Sequence, residues 1–304
     1  MSVLNEQPLV VADPDIPVEK RRRRQRPRYV KGTRPGWFIY ACLGIVLAAS
    51  VFPFYWSLLI GSGTSYTIRD PNMSWLPGGN FFSNAAKVIN DPAVNFWVAL
   101  WNSIISSGLI ALSVVFFSTL AGWAFAKLKF KGSSFLLVFV IATMAVPTQL
   151  GVVPLYILFS DLGWTGQLGA IIIPALVSAF GVFWMTQYLR QAVPDELIEA
   201  ARVDGASSFR TFLTVGLPAA RPAAAMLALF TFVSAWNNFF WPFIVLDRQN
   251  PTLPVALSLL QSNYFVDYSI VLAGVLLATI PLLILFMFAG KQLVSGIMQG
   301  AVKG

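Results

Sequence analysis

Ionisable side chains are scarce along this chain, and in its C-terminal two thirds they gather in one stretch, EAARVDGASSFRTFLTVGLP (199–218), which brings Glu199, Arg202, Asp204 and Arg210 close together. No histidine occurs anywhere, which removes imidazole acid–base catalysis and histidine metal sites. Cys42 is the one cysteine and can form no internal disulfide. No GxxxxGK[ST] phosphate loop is present, so the chain does not hydrolyse ATP by itself. What remains for the charged stretch is recognition. Across 190–221 four acids balance four bases, whereas a helix resting on lipid headgroups favours a basic polar face. The balance favours a protein partner.

Locally the stretch spells out an elbow. Pro194 suits a first helical turn, Asp195 and Glu196 suit the positive end of a helix dipole, and Gly205 suits the left-handed position that ends a helix. These signals predict a short helix over about 194–204. Ser207 or Ser208 can cap a second one, with Phe209, Phe212, Leu213 and Val215 at helical spacing. Pro218 and Pro222 are expected to end it. Ala200 and Ala201 leave room for another backbone to approach.

The elements that must position this elbow are membrane helices. The composition is 57% hydrophobic and 11% charged, against about 25% charged in ordinary soluble domains. Six stretches (35–68, 92–126, 132–160, 162–189, 222–246 and 268–290) contain no Asp, Glu, Lys or Arg, and each can hold the roughly 20 apolar residues of a span. Helices are expected near 37–59, 100–125, 135–158, 168–189, 223–245 and 269–289. The fold class is all-α, a polytopic membrane protein with six spans across 35–290. The first block is too long for a secretory signal. With a cytoplasmic N-terminus, the inner segments hold every one of the 21 basic residues except Arg69, Lys87 and Arg248. The positive-inside rule then puts both termini and the loop 190–221 in the cytoplasm. The run KRRRRQRPR (20–28) is read as the inner anchor of a disordered basic tail, 1–34, rather than a nucleic-acid site. Residues 291–304 form a cytoplasmic C-terminal tail.

No expected span carries an ionisable group, which argues against proton coupling and implies that the energy for uphill transport enters from outside the membrane. Pro147, Pro154, Pro174, Pro242 and Pro281 should kink their spans. SAWNNFFWP (234–242) sets Trp236, Asn237, Asn238 and Trp241 at bilayer depth. The amides need partners on another helix or in a polar cavity, and the indoles could stack on a sugar face or anchor the helix at an interface.

EAA, three residues, Gly, nine residues, Val, one residue and Leu-Pro resembles the EAA loop of binding-protein-dependent ABC importer permeases, with Val215 where isoleucine is more usual. VPTQLGVVPLYILFSDLGWTG (146–166), VSAFGVFWMTQYLRQAVPDELIEAARVDGAS (177–207), AWNNFFWPFIVL (235–246), TLPVALSLL (252–260) and the terminal GAVKG (300–304) are similar to the carbohydrate-uptake branch, specifically the maltose-type six-span subunit. The resemblance covers residues 37–304 and implies the type I ABC importer permease fold, in the cytoplasmic membrane of a bacterium. It implies a heterodimer with a second homologous permease, two cytoplasmic ATPases that bind ATP and Mg, and an extracytoplasmic solute-binding protein. This chain itself would bind no cofactor and no metal and would not be an enzyme.

By that resemblance Glu199, Ala200, Ala201, Asp204, Gly205 and Ala206, with Phe209 and Phe212 beside them, seat the elbow in an ATPase groove. Gly300, Val302, Lys303 and Gly304 reach an ATPase through the tail, where Met298 stands for a usual threonine and Gly290 for a common glutamine. Trp236, Asn237, Asn238 and Trp241 belong to the candidate substrate path. The loop at about 247–267, with Gln261, Ser262, Asn263 and Tyr264, enters the binding protein's sugar cleft. A di- or oligosaccharide is the expected substrate, and glycerol 3-phosphate or another polyol the alternative. An ion-coupled carrier and a membrane scaffold without transport remain the competing classes. Vanadate-sensitive uptake selects the importer, and ionophore-sensitive uptake the carrier.

Overall fold

The computed structural model describes residues 36–262 and 265–301, with side chains described as far as Gly290. Among these residues all regular structure is helical. The chain divides at Ser50 into two compact units. The first contributes the N-terminal part of α1 (Trp37–Gly61), where residues 36–50 are small or apolar and exposed, as a lipid-facing surface requires. The second holds the end of α1 and then α2 (Phe81–Asn90), α3 (Phe96–Lys127), α4 (Ser133–Thr143), α5 (Val152–Asp161), α6 (Gly169–Ile172), α7 (Ala179–Ala192), α8 (Asp195–Val203), α9 (Ser208–Thr211), α10 (Leu217–Trp236), α11 (Phe240–Val245), α12 (Leu253–Leu259) and α13 (Tyr268–Ala301).

Trp37–Gly61, Phe96–Lys127, Gly169–Ala192, Ser208–Trp236 and Tyr268–Gly290 are long and apolar enough to cross a membrane. Ser133–Thr143 together with Thr148–Asp161 makes a sixth if that bent pair is one span.

The second unit is organised around α3, which packs along α7 and α10. One face of α3 is small and polar: Asn102, Ser103, Ser106, Ser107, Ala111, Ser118 and Gly122 are buried on it at helical spacing. Small residues let backbones approach where lipid offers no hydrophobic drive for helix association. The approach is tightest against α7. A Cβ at Gly122 would lie 2.6 Å from the Met185 Cβ, and one at Gly181 only 2.3 Å from the Ser118 Oγ. Two apolar clusters sit along α3. Ile110, Val114 and Trp123 pack with Met185, Leu189, Phe212, Ala223 and Leu227 at one end. Phe96 and Ala99 pack with Val88, Trp236, Leu253, Leu257 and Val271 at the other.

Three spans depart from their expected form. The fourth, expected over 168–189, is divided into α6, a 3-10 turn at Ile173–Ala175 and α7, with Ser178 extended (φ −129°, ψ 122°) between them. The third, expected as one helix over 135–158, breaks after Thr143 and bends by 84° before a 3-10 turn, Thr148–Gly151, leads into α5. Pro147 is the physical cause. It has no N–H to give, it disfavours helical geometry at the residue before it, and it adopts the extended ψ of 124° itself. The fifth, expected over 223–245, begins earlier and ends at Trp236; Asn237 caps it, and α11 follows as a separate short helix. Pro218 and Pro222 do not stop the elbow's second helix. Pro218 follows the π-turn Phe212–Gly216 as the second residue of α10, and Pro222 is carried through between the buried Ala220 and Ala223. The last helix also outruns its expected end at 289 and continues to Ala301. The tail 1–34 lies outside the described residues.

The glycine contacts give the first prediction. Gly122→Leu or Gly181→Val should separate α3 from α7 and cost at least about 1–3 kcal/mol, read as a lower unfolding midpoint and loss of monodisperse protein in detergent. Gly108→Ala, where a Cβ meets nothing within 4 Å, should be tolerated.

Candidate functional site

The elbow is built from α8, a tight turn and α9. Asp195 and Glu196 occupy the first turn of α8, where the helix dipole favours acids. The Asp195 Oδ1 accepts a hydrogen bond from the Lys127 Nζ at 2.7 Å, joining α8 to the last turn of α3. That hydrogen bond, together with the charge of Lys127, holds the Asp195 carboxyl below the usual carboxylate range. A lowered value means that the pair's contribution is present above the ordinary Asp pKa of about 3.9 and is lost as pH falls through the lowered one.

The helix ends in a Schellman turn. The Ala206 N–H donates to the Ala201 carbonyl at 2.9 Å and the Gly205 N–H to the Arg202 carbonyl at 3.0 Å. Gly205 closes the turn at φ +75°, a conformation glycine adopts without the Cβ penalty. Of the two serines that could cap α9, Ser207 does so, its hydroxyl accepting from the Arg210 N–H. A π-turn over Phe212–Gly216 then passes the chain into α10 without a break.

The predicted elbow residues divide between two surfaces. Glu199, Ala200, Asp204 and Gly205 are exposed, and Ala201 and Ala206 half-buried. Phe209 is 66% exposed, and with Leu197, Val203 and Leu213 it forms an apolar margin beside the charges. Phe212 is instead a core residue, 6% exposed, with its ring 5.8 Å from that of Trp123. Phe209 and Phe212 are three residues apart on a helix, yet one faces out and the other anchors the elbow.

A cavity of about 850 Å³ lies between the broken third span, α7 and the end of α10, within the size range of small-molecule sites. Its polar lining comes from Thr143, Thr148, Gln149, Ser178, Thr231, Ser234 and Asn238, and its aromatic lining from Phe180, Phe230, Phe240 and Trp241. None of its lining residues is charged. Of the four predicted path residues, Asn238 and Trp241 line this cavity and the other two do not. Trp236 is buried in the opposite cluster, stacked on Phe232, and Asn237 folds its amide back onto the Val233 carbonyl. The cause is the break after Trp236, which turns successive side chains in different directions. Trp241 is fixed by its indole N–H donating to the Ala170 carbonyl at 3.0 Å.

Gln149 and Thr148 were not singled out by sequence, although Gln149 is the one amide in the charge-free block 132–160. Ser234 and Thr231 share a face with Asn238 at helical spacing, a second signal of the same kind. In the segment 247–267, Leu253–Leu259 is helical, and Gln261 and Ser262 follow it on the surface. Asn263 and Tyr264 lie outside the described residues, as do Val302, Lys303 and Gly304. Gly300 falls within α13.

Residues 114–298 match the family model described as binding-protein-dependent transport system inner membrane component. The chain is 33% identical over 246 residues to the arabinooligosaccharides transport system permease protein AraQ of Halalkalibacterium halodurans, covering 76% of this chain and 88% of that one. It is 32% identical to the trehalose/maltose transport system permease protein MalG of Thermococcus litoralis, covering 88% and 97%. At 27% identity it also matches the sn-glycerol-3-phosphate transport system permease protein UgpE of Brucella abortus, covering 84% and 93%. In fold it is similar to a chain in the crystal structure of a bacterial ABC transporter involved in the import of the acidic polysaccharide alginate, with a TM-score of 0.71, 23% identity and coverage of 84% and 95%.

The two phenylalanines of the elbow separate folding from recognition. Phe212→Ala should cost about 3–5 kcal/mol by leaving a cavity against Trp123, whereas Phe209→Ala should stay within about 0.5 kcal/mol, both measured by unfolding of the purified subunit in detergent.

Proposed function

From its membership of the binding-protein-dependent ABC transporter permeases, carbohydrate-uptake branch, we propose that this chain forms half of the membrane pathway for a neutral di- or oligosaccharide and takes its driving force through the elbow. It is a multi-pass, non-catalytic permease subunit of a sugar importer. A second, homologous permease completes the pathway, an external solute-binding protein delivers the sugar, and two ATPases carry ATP and Mg on the cytoplasmic side. Both termini face the cytoplasm, as the distribution of lysine and arginine supports.

The observation that carries the coupling role is the exposed composite surface of Glu199, Ala200, Asp204 and Gly205 beside Phe209 and Val203, displayed on a turn of fixed geometry. A rigid convex knob with apolar and charged edges fits a protein groove and transmits displacement as a unit. ATP-driven closure of the ATPases draws such knobs together and tilts the spans, and hydrolysis resets them. Gln261 and Ser262 lead into the outer segment that faces the binding protein, and the tail at Gly300–Gly304 adds a contact to an ATPase.

The substrate reading rests on the cavity. Hydroxyls, amides and aromatic faces suit an uncharged polyhydroxylated ligand, because each sugar hydroxyl needs a partner and each ring face an apolar wall. An anion such as glycerol 3-phosphate calls for arginine or lysine at the phosphate; the start of α7 at Ser178–Phe180 borders the cavity, but the lining offers no cationic side chain.

Gly205→Pro and Glu199→Lys should abolish sugar uptake by the assembled importer while the subunit still inserts in the membrane; normal uptake in both overturns the coupling role. Gln149→Ala and Asn238→Ala should each reduce disaccharide uptake about two- to tenfold, the value of one hydrogen bond. Mass spectrometry of the ligand held by the co-purified solute-binding protein checks the class, and glycerol 3-phosphate found there would refute a neutral sugar.

A further inference from the structure

The elbow is fastened to α3 at adjacent turns of one face. Lys127 bonds to Asp195 at 2.7 Å, and Trp123, one turn earlier, packs on Phe212 with ring centroids 5.8 Å apart. Gly216 lies so close under the same indole that a Cβ there would be 2.6 Å from its ring carbons. The far end of α3 is gripped just as specifically. The Asn102 Nδ2 donates to the Pro251 carbonyl at 3.0 Å, and the Ser103 Oγ accepts from the Leu253 N–H at 2.7 Å, so both bonds hold the segment that joins α11 to α12. Ser103 and Trp123 stand about 30 Å apart along the helix at 1.5 Å per residue, the thickness of a hydrocarbon core. Between them Ile110 and Val114 line the cavity, and the Ser113 hydroxyl donates to the Leu176 carbonyl at 2.9 Å, next to the lining residues Val177 and Ser178.

We propose that α3 is the strut that carries displacement of the elbow past the cavity wall to the α11–α12 segment on the other side of the membrane, with Lys127 the positioning residue that fastens the elbow to it. The inference rests on the coupling role of the elbow. A helix hydrogen-bonded along its length resists compression, so pulling one end moves the other. The bond at Lys127 is suited to fastening because its two partners differ in setting: the lysine side chain is 4% exposed and held by the bundle, while the Asp195 side chain is 80% exposed and travels with α8. The Asp195 side of the bond lies in solvent and adds little static stability, whereas Lys127 left without it is a buried unpaired charge, so assembly is read alongside coupling.

The test uses the complete importer in proteoliposomes with its companion permease, ATPases and sugar-loaded binding protein. Sugar transported per ATP hydrolysed is measured together with retention of the ATPases on the purified complex. Lys127→Met and Asp195→Asn should each lower the ratio about fivefold or more, the lower end of allosteric coupling, with the ATPases still bound. The exchange Lys127→Asp with Asp195→Lys should recover most of the ratio, which a purely structural role would not produce. Asp195→Asn, altering the solvent-side partner, reads the same bond should Lys127→Met fail to assemble. An unchanged ratio in the single variants, loss of the ATPases from them, or an exchange no better than the singles overturns the strut. Gly205→Pro run in parallel separates the two levels: coupling lost there but intact in Lys127→Met rejects only the strut, and coupling intact in both rejects the role of the elbow itself.

Discussion

The close approach of α3 and α7 through Gly122 and Gly181 is the constraint on which the rest of the second unit depends. In hydrocarbon, apolar side chains gain little by leaving lipid, so helices are held by short-range contact and by polar groups they share. Here the contact surface of α3 is serine, alanine and glycine. It brings the α7 backbone near enough that Trp123 and Lys127 at one end of α3 meet the elbow that follows α7. Wider spacing between these two helices would carry Asp195 and Phe212 away from their partners.

The same helix explains how one chain can contain a polar cavity with no charged lining, an exposed elbow and the α11–α12 segment at its two ends. Its residues enter the apolar clusters at both ends, and Ile110 and Val114 reach the cavity between them. The cavity opens where three other spans are interrupted, at Pro147, at Leu176–Ser178 and after Trp236. Interruption removes regular helix and exposes small polar groups. Non-helical backbone at such depth is tolerated where it borders a water-filled space, and Thr148 and Gln149 in the break of the third span face the cavity accordingly.

Much of this was legible in the sequence, because the signals were local. The elbow was marked by Pro194, Asp195, Gly205 and the pair Ser207 and Ser208, each of which acts through its own backbone or a neighbour's. Asp195 and Gly205 stand as expected, Ser207 is the one that caps, and Pro194 lies one residue before the first turn of α8. The helical class followed from long charge-free blocks. What escaped was whatever depends on tertiary context. Pro147 breaks its span whereas Pro222 is absorbed, although both looked alike, because the packing of Ala220 and Ala223 holds α10 together across its proline. Trp236 and Trp241 looked equivalent as sugar platforms, but the break between them sends one into the core and the other to the cavity wall. Phe212 looked like a partner of Phe209 in recognition, and only the position of Trp123, far away in sequence, shows that it belongs to the core.

The turn at Gly205, with its paired bonds from Ala206 and Gly205 itself back to α8, also bears on how this region can change over generations. One residue added or removed between Ala201 and Ser207 would break the paired bonds that set this turn and would change where Phe209 stands relative to Glu199. Point replacements on the exposed side leave that register untouched. Drift in this stretch is therefore confined to substitution, with insertions and deletions barred, and matching to a new companion can come only by exchanging side chains on a turn of unvarying length.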